Sequence, residues 1–171
     1  MIKLTEEVTK ARLFAIAAHT AVGQKRKYTG APYWHHCQEV AQMVQLYSSG
    51  YETVQAAWLH DVVEDTKITI QDLGLFFSSK VVRMVEQLTD VSKPEDGNRA
   101  VRKALDREHY ANASKEAKTI KLADLISNTR DITKHDPDFA VVYLEEKRLL
   151  LPYLKGGNPQ LFATAERLAN P

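Results

Sequence analysis

Only one cysteine, Cys37, occurs in the chain, so no disulfide can close within it and a reducing compartment is the expected setting. Cys37 itself reads as a small buried hydrophobe. Long apolar runs are absent too: none reaches the roughly 18 residues of a membrane-spanning helix. No positively charged start leads into an apolar segment, so a secretory leader is not expected and a cytoplasmic location is. An excess of either charge is missing, since 23 Lys and Arg face 22 Asp and Glu for a net charge of +1. That excludes a global pull toward nucleic acid or membrane, and any anion site must be local. Internal repeats, low-complexity stretches, sustained period-2 alternation and two-residue hairpin signals are all lacking. The expected fold is therefore all-α, with about eight helices or more by pattern counting. Its length of 171 residues fits a single domain spanning 1–171.

What is present concentrates in one stretch, Ala56-Ala57-Trp58-Leu59-His60-Asp61-Val62-Val63-Glu64-Asp65. It reads as part of a helix from Tyr51 to Asp65 that is apolar nearly all round, and such a helix belongs in a core. Yet His60, Asp61, Glu64 and Asp65 crowd its end. Residues four apart stack on one helical face, so His60 neighbours Glu64 and Asp61 neighbours Asp65. Three carboxylates on one flank repel one another, and burying them unpaired is costly. A bound divalent cation removes most of that cost. A solvated acidic helix end is the alternative, and the Trp58-Leu59 and Val62-Val63 flanks argue against it.

A second helix of this kind spans Ala117 to Ile132. Following Ala117 and Ile120 one turn onward lands on Asp124, and one more turn lands on Asn128, a face the pattern assigns to the core. Asp124 is then either a hydrogen-bonded buried acid or a further metal ligand with Asn128 orienting it. The loop from Gly23 to Pro32 carries Lys25-Arg26-Lys27-Tyr28. Three cations and an aromatic can grip a phosphate and stack a base, or form a solvated basic turn. Tyr33-Trp34-His35-His36 opens the next helix, carried by Val40, Ala41, Val44 and Tyr47. Its adjacent histidines point in different directions, so at most one shares a site with His60.

Elsewhere the patterns concern packing. Thr5 reads as the cap of a first helix buried along Val8, Ala11, Ala15, Ala18 and Val22, with His19 beside that line as a satisfied or exposed histidine. Thr69 to Asp72 resembles a capping box for a short helix ending near Phe77. Ser78 or Ser79 caps another, with Val81, Val82, Val85 and Leu88 buried. Arg99, Arg102 or Lys103, and Arg107 share a helical face that is either solvated or turned toward phosphate. After Pro137 a long helix runs to Leu154 with Phe139, Val142, Tyr143, Leu149 and Leu150 apolar, and Asn158-Pro159 starts the last one.

Taken together, His36, the His60-Asp61 pair and Asp124 resemble the H…HD…D pattern of the HD-domain metal-dependent phosphohydrolases. Further blocks are similar to the hydrolase domain of the RelA/SpoT-type alarmone enzymes. They are Gln24-x-Arg26-Lys27, Gly30-x-Pro32-Tyr33-x-x-His36, Leu59 to Thr66, Leu88-Thr89-Asp90, and Ile120 to Asp124 with Asn128. The resemblance implies an HD-type helical bundle and a free-standing hydrolase of the stringent response. Such an enzyme cleaves the 3′-diphosphate of (p)ppGpp to give pyrophosphate and GDP or GTP. It implies that His36, His60, Asp61 and Asp124 hold one metal, usually Mn²⁺, and that Glu64 and Asp65 serve the attacking water. Arg26 would stack on the guanine, Lys27 would meet phosphate, Asn128 would lie at the ribose or base, and Tyr143 would also touch the nucleotide. Ala21, Cys37 and Asp131 depart from the family's usual residues and bear on substrate preference. Rival readings are an HD-domain nucleotidase acting on a simple 5′-nucleotide or on NADPH, and a non-catalytic nucleotide sensor.

Overall fold

The computed structural model describes residues 6–48 and 50–171. Thr5, read as the first helix cap, lies outside the described residues. Among the described residues there are ten α-helices, two short 3-10 segments and no strand, apart from an isolated bridge between Lys25 and Pro32. The chain falls into two compact units, Met1–Thr89 and Asp90–Pro171.

The first unit contains α1 (Glu6–Ala21), α2 (Trp34–Tyr47), α3 (Tyr51–Leu59), α4 (Val62–Asp65), α5 (Ile70–Gly74) and α6 (Ser79–Leu88). Its centre is α3, which packs against α1, α2 and α6. Every residue of α3 from Thr53 to Leu59 is buried, as an all-round apolar helix requires. Its one buried amide, Gln55, is satisfied by donating from Nε2 to the Glu7 carbonyl at 2.9 Å. Around it stand Val8, Ala11 and Ala15 of α1, Val40, Ala41 and Val44 of α2, and Val81, Met84, Val85 and Leu88 of α6. Removing a side chain such as Leu59 from water is worth about 1.5–3 kcal/mol. Cys37 is fully buried, and the Thr69–Asp72 capping box and the Ser78 cap are both present. On α6 the buried stripe takes Met84 rather than Val82, which is only half-buried.

The expected single helix from Tyr51 to Asp65 is broken at His60-Asp61. Local hydrogen bonding explains the break. The His60 ring takes the Ala57 carbonyl at 2.8 Å, the same carbonyl that a continuing helix would offer to the Asp61 N–H. Asp61 relaxes to φ −100°, ψ −3°, and α4 restarts with Asp65 N–H on the Asp61 carbonyl. No glycine or proline marks this position, so the sequence pattern ran through it.

The second unit contains α7 (Arg99–Ala111), α8 (Lys115–His135), α9 (Pro137–Leu150) and α10 (Pro159–Ala169). Its axis is α8, packed by α9 and α10. A Cβ at Gly157 would meet Leu122 Cδ1 at 2.7 Å, so only glycine permits this close approach. The expected helix to Leu154 stops at Leu150 and tightens into a 3-10 turn, Leu151–Leu154. Pro152 is the cause: it lacks an N–H donor and its ring clashes with the preceding turn. Val142 and Leu149, expected to pack, are 51% and 49% exposed, while Ala140 and Leu144 are buried in their place. Before α7, Asp106 holds the incoming loop. Its Oδ1 accepts the Val91 and Ser92 N–H groups at 3.1 and 3.0 Å, and its Oδ2 accepts the Ser92 hydroxyl at 3.0 Å.

Candidate active site

His36 lies in the first turn of α2, His60 directly after α3, and Asp61 in the break that follows. Both histidines are buried. Their ring centroids are 5.3 Å apart, and Asp61 Oδ2 sits 3.1 Å from His60 Nε2 and 3.6 Å from His36 Nε2. A carbonyl oxygen only accepts, so His60 Nδ1, bonded to Ala57, carries a ring proton, and in the neutral ring Nε2 carries the lone pair. A lone pair and a carboxylate oxygen at 3.1 Å repel unless a positive charge stands with them. Two imidazole nitrogens and a carboxylate are the donor set of a borderline divalent cation, so the residues present fit a metal. Tyr33 donates its hydroxyl to the same Asp61 oxygen at 2.7 Å.

Next to this cluster, Gln24 Nε2 donates to Asp65 Oδ2 at 2.8 Å. Burial, and then the charge of Asp61, raise the Asp65 pKa above the ordinary carboxylate value, against a lowering by the Gln24 hydrogen bond. A raised carboxyl pKa suits proton acceptance near neutral pH. Glu64 is exposed. The basic loop is folded back on itself by Arg26 N–H to the Ala31 carbonyl at 2.8 Å and by Gly30, at φ 70°, to the Arg26 carbonyl at 3.0 Å. The Arg26 guanidinium lies 5.9 Å from the Tyr33 ring centre. Lys27 Nζ lies 4.8 Å from the Tyr28 ring centre and 3.2 Å from its hydroxyl.

In the second unit, Asp124 is buried on α8. Asn128 Nδ2 donates to its Oδ1 at 2.6 Å, and Lys121 Nζ meets its Oδ2 at 3.0 Å. Such charge-assisted contacts offset the cost of burying a carboxylate. Tyr143 is buried on α9, where burial and then the Asp124 charge raise its pKa and keep it a neutral phenol. One turn on, Lys147 Nζ lies 4.4 Å from the Tyr143 ring centre. Burial, then the charge of Lys121, push Lys147 down to about 8. At Asp90, burial works upward, but Lys121, Lys103 and the Tyr110 hydroxyl outweigh it and hold the pKa low.

Two of the α7 cations are ion-paired, Arg99 while still exposed and Lys103 half-buried. Arg99 donates to Glu146 at 2.9 Å, and Lys103 meets Asp90 at 3.0 Å. Lys103, Arg107, Lys121 and Lys147 line one small pocket together with Asp90 and Glu146. His36, His60 and Asp61 thus meet in the first unit, and Asp124, Asn128 and Tyr143 stand in the second. Sequence reading gave no role to Gln24, Tyr33, Lys121 or Lys147. Helical spacing offered a signal for three of them: Tyr33 three before His36, Lys121 three before Asp124, and Lys147 four after Tyr143.

An all-helical chain with a buried His/Asp cluster of metal-ligand chemistry defines the class. Residues 11–149 match the family model described as HD domain. The chain belongs to the HD-domain family. It is 34% identical over 164 residues to the guanosine-3′,5′-bis(diphosphate) 3′-pyrophosphohydrolase MESH1 of Homo sapiens, covering 91% of this chain and 88% of that protein. The Xenopus tropicalis protein of the same name is 36% identical over 137 residues, covering 77% of this chain and 72% of its own. A solved structure of a metazoan ortholog of SpoT, described as hydrolyzing ppGpp with a role in starvation responses, matches with TM-score 0.86. That match has 27% identity and covers 98% of this chain and 96% of the other.

Proposed function

We propose that this chain is a metal-dependent hydrolase that removes the 3′-diphosphate of guanosine tetra- or pentaphosphate, releasing pyrophosphate and GDP or GTP. The observation that carries the reading is the match, along nearly the whole chain, to relatives named for that reaction. The His36–His60–Asp61 cluster supplies chemistry that agrees with it. The family match runs through both compact units, which supports one hydrolase domain over residues 1–171. No helix among the described residues is long and apolar enough to cross a membrane, and a cytoplasmic location is part of the proposal.

In this reading His36, His60, Asp61 and Asp124 hold one divalent ion, Mn²⁺ by family resemblance. When bound, the ion supplies a lowered pKa for an attacking water and neutralises phosphoryl charge. The protein's own residues do the rest. Tyr33 fixes Asp61, and the Ala57 carbonyl fixes the His60 tautomer. Asp65, with its raised pKa, takes the proton of the water, and Glu64 stands beside it in α4. Arg26 stacks on the base, Lys27 meets phosphate, and Asn128 and Tyr143 contact the nucleoside. The test is product analysis with purified, Mn²⁺-loaded protein and ppGpp, pppGpp, ppApp, NADPH and 5′-nucleotides. Pyrophosphate with GDP or GTP is expected. Orthophosphate from a simple nucleotide would make the chain a nucleotidase, and tight binding without turnover would make it a sensor.

A further inference from the structure

Asp65 carries one side-chain hydrogen bond among the described residues, from Gln24 Nε2 to its Oδ2 at 2.8 Å. Its Oδ1 receives none, and the partly desolvated residue keeps some of its surface open to water. That single bond fixes the direction of a longer chain. An ionised carboxylate only accepts, so the Gln24 atom facing Asp65 is the NH₂ group. The Gln24 carbonyl oxygen then faces His19 Nδ1, at 2.6 Å. A carbonyl also only accepts, so Nδ1 bears the imidazole proton. In a neutral ring Nε2 is then the acceptor, and Cys37 Sγ lies 3.6 Å from it as a weak donor. Cys37, His19, Gln24 and Asp65 thus form one run of donors that ends on one oxygen of Asp65.

The surroundings hold His19 in that state. It is completely buried, and burial lowers its pKa and keeps it neutral. Tyr33 packs beside the ring with centroids 5.1 Å apart. The Gln24 main chain is pinned at both ends, its N–H to the His19 carbonyl and its carbonyl to the Tyr33 N–H, each at 3.1 Å. What the main chain does not fix is the terminal amide torsion, which is intrinsically broad. His19 fixes it.

We infer that His19 is a positioning residue for Asp65: it locks the Gln24 amide on Oδ2 and so reserves Oδ1 for the proton of the attacking water. This rests on the proposed role of Asp65 in the hydrolase reading. The variants to compare are His19→Leu, His19→Asn, Gln24→Met, the Leu and Met changes together, and Asp65→Asn. Each is assayed with Mn²⁺ and ppGpp and, in parallel, by ¹⁵N spectra of histidine-labelled protein. His19→Leu and Gln24→Met should each lower kcat about tenfold with KM unchanged, the scale of one lost positioning hydrogen bond. The double variant should be no worse than either single one, because both break the same chain. His19→Asn should recover most of the loss, since its amide N–H falls near the place of Nδ1–H. Wild-type His19 should show the Nδ1-protonated tautomer, and Gln24→Met should abolish that preference. Wild-type kcat in His19→Leu, additive losses, or an Nε2-protonated His19 would overturn the inference alone. Full turnover by Asp65→Asn would instead remove Asp65 from the mechanism and the inference with it. Absent turnover of ppGpp by the wild type would fail the hydrolase reading, and the tautomer would still decide whether the hydrogen-bonded chain exists.

Discussion

Tyr33→Phe isolates one hydrogen bond at the proposed metal centre. The ring is retained, so its packing beside His19 at 5.1 Å and His36 at 5.5 Å survives, as does its position 5.9 Å from the Arg26 guanidinium. What disappears is the hydroxyl that meets Asp61 Oδ2 at 2.7 Å. A hydrogen bond to a charged group contributes about 1.5–3 kcal/mol, and one that orients a metal ligand is worth roughly 10–100-fold in metal affinity. Asp61 Oδ2 is also the oxygen facing both His60 and His36, so its direction decides whether the donors converge. We expect the Mn²⁺ Kd to rise roughly 10–100-fold, measured by competition against a chromophoric chelator. Turnover at saturating Mn²⁺ should stay near wild type. An unchanged Kd would show that Asp61 is held without Tyr33. Activity lost and not restored by excess Mn²⁺ would place the hydroxyl in the reaction itself.

Four further outcomes are expected. His60→Ala or Asp124→Ala should lose metal and activity together, and full metal content in Asp124→Ala, by elemental analysis, would remove that residue from the ligands. Glu64→Gln and Asp65→Asn should keep metal while pyrophosphate release falls roughly 10²–10⁴-fold, the scale of a positioned general base; loss of metal in both would move them into the ligand set. Arg26→Ala should raise KM far more than it lowers kcat, because base stacking acts in ground and transition states alike; an unchanged KM in steady-state assays would return the loop to solvated surface. Lys147→Met concerns stability: the folded pKa of about 8 lies below the ordinary 10.5, so the unfolded chain binds the proton more tightly between those values. Wild-type stability should therefore rise with pH across that window, and Lys147→Met should raise Tm at pH 7 with a gain that shrinks by about pH 10, followed by thermal melts.

The all-helical fold was legible because its signals are local. Residue spacing revealed the α3 and α8 cores, and the Thr69 and Ser78 caps followed from short hydroxyl side chains. Two boundaries were not. The break at His60-Asp61 depends on a side chain taking a backbone carbonyl, which periodicity does not encode. The end of α9 at Leu150 was encoded, by Pro152, and was overridden in reading by the apolar residues around it. Errors in burial fell on Val22, Tyr47, Val82, Val142 and Leu149, where a hydrophobic residue lies at the end of a helix or the margin of a stripe and spacing alone does not choose the face; Val22 and Tyr47 are 41% and 42% exposed. For the candidate site, motif resemblance picked out the titratable residues and left their supports unseen. Tyr33, Gln24 and His19 act through hydrogen bonds between segments far apart in sequence or through a turn, and single-sequence spacing carries little of that.

The attachment of the loop before α7 has a consequence for how the protein can diverge. Asp106, 2% exposed, receives three hydrogen bonds from Val91 and Ser92, so the loop is anchored at its incoming foot by a residue of the helix it leads to. At its outgoing foot Asn98 caps α7, and Gly97, at φ 134°, passes close to Val101. Residues 93–96 between these feet are exposed and bear little of the tether. Insertions, deletions and charge changes are thus cheapest there, and the loop is an exchangeable cassette on a fixed mount. Deleting the Asp106 carboxylate would instead free Val91 and Ser92 together, converting a tolerant loop into a frayed one.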